Sequence, residues 1–195
     1  MISKFLQGIW GNLSRDEIKK FSILSGVFFL VIGTYQMFKA MKDPMFDLYV
    51  GVDWTPRAKI LSIVFIAFVI LMYSKLVDIF KRHHVFYIVC GTYAAVFLIL
   101  SYLMNSPELL DRGNIAGIPG NVLGWALYLI VESFGSIMPA LFWGFVSSVT
   151  NAESAKRGYP MITLFTQLGA ILGPLTVMTL SNHVPSFAFF VLGSI

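Results

Sequence analysis

Long uninterrupted apolar runs, separated by short charged segments, set the pattern of this chain. The first is Phe21 to Phe38, and the helix it predicts continues to Lys42 before Pro44 breaks it. Ile60 to Leu76, Val85 to Met104, Asn121 to Val149 and Met161 to Leu180 follow. Each reaches the roughly 17–25 residues with which a helix crosses a bilayer. The runs are continuous and not alternating, which argues against strands. The fourth is long enough to cross with tilt, and Pro139 within it marks a kink. A sixth run, Val184 to Ile195, is too short to cross. The pattern predicts an all-α membrane protein with five complete transmembrane helices and a truncated sixth, the bundle occupying residues 21–195. The end inside an apolar stretch leads us to expect that the chain is part of something longer.

Residues 1–20 read as an interfacial, cytoplasmic segment. "MISKFLQGIWGNLSRDEIKKF" lacks a short apolar core with a small-residue cleavage site and does not have transit-peptide composition. Ser14 and Glu17 have capping-box spacing, so a helix is expected to start there and carry Lys19 and Lys20 to the membrane edge.

Composition agrees with a bilayer. The chain has 195 residues, 57% of them hydrophobic and 12% charged, where soluble domains average about 25% charged. The single Cys90 excludes an intrachain disulfide and argues against a metal cluster. Of the 14 Lys and Arg residues, nine fall on one side if the N-terminus is cytoplasmic: Lys4, Arg15, Lys19, Lys20, Lys75, Lys81, Arg82, Lys156 and Arg157. Lys39, Lys42, Arg57, Lys59 and Arg112 fall on the other. The bias favours a cytoplasmic N-terminus.

One charged residue then stands out. All ten carboxylates but Glu132 lie at or beyond the ends of the runs, and an ionised acid at the centre of a membrane helix costs about 2.5–3.5 kcal/mol. Its helical face carries Trp125, Tyr128, Gly135, Ser136, Pro139 and Trp143, the mix of aromatic, hydroxyl and small groups that a polar cavity requires. The bland alternative is a structural pair with a lysine or hydroxyl. On the first helix Tyr35, Lys39 and Lys42 share a face. They suit an anion such as phosphate, and equally suit lysines reaching for headgroups. Lys42 lies about 22 residues from the helix start, ~33 Å along the axis. It is therefore expected nearer the outer mouth than Glu132, with no direct Lys42–Glu132 salt bridge. Gly169 and Gly173 form a GxxxG, read as helix packing, one turn beyond Thr163, Thr166 and Gln167. No P-loop, dinucleotide fingerprint, nucleophile–base pair or paired carboxylates occur, so neither an enzyme nor a cofactor or nucleic-acid site is expected.

Several stretches, in order along Ser14 to Pro174, resemble the ATP/ADP translocase family of obligate intracellular bacteria and plastid envelopes. They are "SRDEIKKF", "MFKAMKDPM", "YSKLVDIFKRHHVFY", "VESFGSIMPALFWGFVSSVTNAESAKRGYPM" and "QLGAILGP". The resemblance, to the family's N-terminal half, implies a major-facilitator-like bundle of about twelve helices that exchanges nucleotide between two halves. It implies a bacterial inner membrane, with the missing C-terminal half as partner. The family's Lys-Asp lysine falls on Lys42, followed by Asp43, and its glutamate on Glu132. On that reading Lys42, supported by Lys39, attracts the polyphosphate. Tyr35, Tyr128 and Trp125 contact base or ribose, Glu132 acts as the gate, and Pro139 and Pro174 are bending points. The chain departs from the family pattern at Gly33-Thr-Tyr-Gln and Lys39-Ala, where an Asn-Tyr-Thr stretch and an Arg-Asp are usual. Ser133 and Phe134 follow Glu132 in place of Leu and Trp, and Gly158 replaces a Phe. Loss of the Arg removes a bidentate phosphate fork. The alternative function is a non-transporting anchor or scaffold module.

Overall fold

A computed structural model describes residues 14–80 and 82–194, so most of the interfacial segment, with Lys4, and also Lys81 lie outside the described residues. The described chain is helical: α1 Arg15–Tyr49, α2 Thr55–Ile79, α3 Arg82–Asn105, α4 Pro107–Arg112, α5 Val122–Val149, α6 Ala152–Leu180 and α7 Ser186–Ser194. Five of these are long and apolar enough to cross a membrane.

Local signals explain three helix starts. Ser14 caps α1: its hydroxyl accepts from the Glu17 N–H, and Glu17 accepts in return from the Ser14 N–H. Asn121 and Asn151 cap α5 and α6 through their side-chain oxygens. A 3-10 turn, Val52–Trp54, leads into α2.

Several boundaries differ from expectation. Pro44 does not end α1, which continues to Tyr49. Pro44 is exposed, so water or headgroups can satisfy the carbonyl whose donor it lacks. The turn beyond it is anchored because Met45 and Phe46 are buried. Helix α6 likewise begins at Ala152, ahead of the expected Met161, and runs through Pro160 and Pro174. The six-residue α4 has no apolar run and was not anticipated. Helix α5 is continuous through Pro139.

Helix α1 is the spine of the bundle. On one side it lies against α6, where a Cβ on Gly169 would stand 2.5 Å from the Phe29 carbonyl oxygen. The GxxxG thus serves backbone contact, as read. On another side α1 meets α5, with Phe28 stacked on Phe142 at 4.0 Å. Phe38 joins Phe97 of α3, Phe134 of α5 and Phe190 of α7 in a second aromatic core. Helix α2 buries little beyond Ala58 and Ser62; Ile63 and Phe68 are exposed, as lipid-facing residues are.

Candidate functional site

Helices α1 and α5 run antiparallel, and their contacts fix the register. The Asn121 N–H donates to the Tyr49 carbonyl at 2.9 Å, and the Lys20 ammonium donates to the Val149 carbonyl at the other end. Lys42 therefore sits two turns below Tyr49 and Glu132 three turns below Asn121, about 10 and 16 Å along the axis. Side chains lean toward the N-terminus of their own helix. In this pair Lys42 leans down and Glu132 leans up, and Nζ of Lys42 donates to Oε1 of Glu132. The expected separation by depth is overturned. It counted from the start of α1, whereas against α5 the offset is only ~6 Å, about one turn, which a lysine stem covers.

The pair belongs to a larger cluster. Lys42 is 3% exposed. Its ammonium also lies 3.2 Å from Oδ1 of Asp43 and 3.9 Å above the ring of Tyr128. Two carboxylates and an aromatic face thus compensate one buried cation. At an effective dielectric near 20, unit charges about 4 Å apart attract by roughly 4 kcal/mol. The cluster is polarised in space: the Lys42 side chain is hidden, while those of Glu132 and Asp43 are 27% and 57% exposed. Lys39, one turn below Asp43, is exposed with its ammonium 5.8 Å from the Tyr35 ring centre. No carboxylate pairs with Lys39 among the described residues. Tyr35 lies across Gly135, where a Cβ would stand 2.0 Å from its ring. Ser136 is exposed and donates to the Glu132 carbonyl at 3.1 Å.

Two aromatic candidates sit elsewhere than expected of ligand contacts. Tyr128 is fully buried, its ring under Lys42 and its hydroxyl without a hydrogen-bond partner among the described residues. It is a platform for the ammonium. Trp125 donates its indole N–H to the Pro119 carbonyl at 2.9 Å and packs on Phe46 and Trp54, outside the cluster. Pro139 and Pro174 lie within unbroken helices. Thr163 and Gln167 line a shallow groove of about 870 Å³ along α6 with Lys156 and Tyr159, and the groove includes no cluster residue. Among the described residues no three potential metal ligands converge. Sequence reasoning missed Asp43 as a second counter-ion and Gly135 as the seat of Tyr35. Adjacency to Lys42 was the available signal for the first; for the second there was none, because only tertiary contact reveals it.

The cluster opens onto a cleft. On α1 the stripe Phe21, Ser25, Ile32, Lys39, Asp43 follows one helical face. Its lower members are buried and its upper two exposed. Phe142 and Val146 of α5 and Met161 and Ile162 of α6 cover the lower part, and Trp143 meets Tyr159 at 5.0 Å. The two helices therefore close over α1 at the Glu17 end and leave it open beside Glu132, Lys39 and Asp43.

Known proteins match this chain along almost its whole length. The family model of the TLC ATP/ADP transporter matches residues 1–110 and 120–192, which include Lys42, Asp43 and Glu132. "ADP,ATP carrier protein 4" of Rickettsia bellii is 27% identical over 202 residues, covering 93% of this chain and 38% of the relative. Its counterpart in Rickettsia prowazekii is 28% identical over 200 residues, 92% of this chain and 38% of the relative. "ADP,ATP carrier protein 1" of Rickettsia bellii is 26% identical over 185 residues, 86% of this chain and 37% of the relative. The chain thus spans well under half the length of these carriers. No solved structure matches it with significance.

Proposed function

The chain belongs to the TLC ATP/ADP transporter family, and on that premise we propose that it forms the N-terminal half of a nucleotide transporter. In this reading the protein exchanges ATP and ADP across a bacterial inner membrane, with its N-terminus cytoplasmic. The observation that carries it is the Lys42–Glu132 pair, its lysine buried and its glutamate partly exposed within the apolar bundle. A buried ion pair adds little net stability against an apolar replacement, so a site role explains it better than glue does.

Lys39, uncompensated and exposed, offers the first positive charge to the polyphosphate. Glu132 is the gate. It holds Lys42 in the described state and releases it when it pairs with a cation from the remainder of the protein. Asp43 keeps Lys42 compensated throughout, which lowers the cost of the exchange. Nucleotide drives this switch only insofar as it binds the two states differently.

Uptake of labelled ATP into cells expressing the full-length protein tests the reading. Lys42→Ala and Glu132→Gln should each abolish most of the exchange; wild-type rates in both remove these roles. The scaffold alternative gains from the full compensation of Lys42 by groups of this chain. It predicts no ATP- or ADP-dependent shift in the melting temperature of the purified protein.

A further inference from the structure

The arrangement of the ion pair bears on which end of a nucleotide meets it. Resting on the nucleotide reading above, we infer that Glu132 receives the ribose 2′,3′-diol while Lys39 receives the phosphates. An ammonium has three donors. Those of Lys42 are directed to Glu132, Asp43 and the face of Tyr128, and its side chain is 4% exposed. What the pair presents to the cleft is its negative member.

A polyphosphate meets repulsion at that point, because like charges repel and it brings almost no hydrogen-bond donor to offset this at neutral pH. A carboxylate has about four acceptor positions, and Lys42 occupies one on Oε1. The exposed part of Glu132 therefore calls for neutral donors. Vicinal hydroxyls match two carboxylate oxygens, as acidic residues do for the ribose in dinucleotide-binding folds. Ser136 extends the same surface: its proton is committed to the Glu132 carbonyl, so its lone pairs remain to accept. Tyr35, seated on Gly135 beside the Lys39 ammonium, forms the wall between the two subsites. The cleft thus reads a molecule with a diol at one end and an anion at the other.

Competition against labelled ADP uptake by the full-length protein, with ADP, 2′,3′-dideoxy-ADP, adenosine and tripolyphosphate as competitors, tests the assignment. Dideoxy-ADP should compete at least about tenfold more weakly than ADP, the effect of losing a hydrogen bond to a charged group. In Glu132→Gln, read by displacement of labelled ADP bound to the purified full-length protein because this variant barely transports, that ratio should shrink to about twofold or less, since a neutral acceptor contributes far less. Lys39→Ala should weaken ADP and tripolyphosphate, leaving adenosine and the ADP-to-dideoxy-ADP ratio unchanged. Equal competition by ADP and dideoxy-ADP in the wild type, a measurement that needs no variant, overturns the diol assignment and leaves nucleotide transport standing. A tenfold ratio that survives Glu132→Gln moves the diol to another residue. Failure of ADP to enter or compete at all removes the nucleotide reading itself, and this inference with it.

Discussion

Gly173 of α6 lies so close to Gly33 of α1 that a Cβ on Gly173 would stand 2.3 Å from the Gly33 carbonyl oxygen. The obstructing atom is backbone, so no side-chain rotation relieves it. Gly173→Ala should destabilise the bundle by about 1–3 kcal/mol through overpacking. Gly26, also on α1, is the control: nothing lies within 4 Å of a Cβ built there. Gly26→Ala should be neutral or stabilising by about 0.5–1 kcal/mol, from helix propensity. Thermal unfolding of the purified protein compares the two, and equal melting temperatures would contradict the close α1–α6 contact.

Lys42 touches two carboxylates, so their removal should not be additive. Glu132→Gln leaves Asp43 at 3.2 Å, and Asp43→Asn leaves Glu132. Each single change should cost about 1–2 kcal/mol, because a charge-assisted bond is lost while the cation stays paired. The double variant strands a buried cation, and its cost should rise to about 3–5 kcal/mol or more. A double-mutant cycle in unfolding free energy measures the excess. Additivity within about 0.5 kcal/mol would mean that Asp43 does not compensate Lys42.

The crossing helices were legible in the sequence because a bilayer demands continuous apolar runs, and the capping box at Ser14 was legible because it is local. What failed depends on neighbours. Pro44 reads as a helix end until the buried Phe46 beyond it is seen. The depth of Lys42 was measured along one helix, while its partner sits on an antiparallel one whose side chains lean the opposite way. Glu132 and Lys42 were individually conspicuous as charges in apolar surroundings; that they meet is a property of register. Tyr128 and Trp125 share the Glu132 helical face, but a face seen in projection does not tell which turns are covered by Phe46 and Lys42.

The contact between Tyr35 and Gly135 should govern transport more than stability. Gly135→Ala places a methyl where the Tyr35 ring now lies. The ring is half-buried, and the obstructing atoms are the far end of a rotatable side chain and not backbone. We expect a several-fold change in nucleotide KM, from a displaced cleft wall, with a melting temperature near wild type. In a Tyr35→Ala background the same substitution should have no further effect on KM. An equal effect in both backgrounds would show that Gly135 acts without Tyr35.

Phe21 and Gly158 complete the closed end of the cleft, and their sizes are matched. A Cβ on Gly158 would stand 2.2 Å from the Phe21 ring, and Phe21 itself is fully buried. The space beside Gly158 on α6 is filled here by the Phe21 ring of α1. Gly158→Phe alone should clash, costing about 1–3 kcal/mol or more, and Phe21→Ala alone should leave a cavity costing about 3–5 kcal/mol. The exchange Phe21→Ala with Gly158→Phe conserves volume and should recover most of both losses, since volume-conserving swaps are tolerated best. Melting temperatures of the two single variants and the exchange provide the comparison. Glu17 brackets the same junction, accepting from the Ser154 hydroxyl and lying 3.3 Å from Arg157, so the helix ends are held in register while the ring changes sides. If the exchange is no more stable than the worse single variant, the aromatic cannot be moved between α1 and α6, and Gly158 must be required for its backbone and not for the space it leaves.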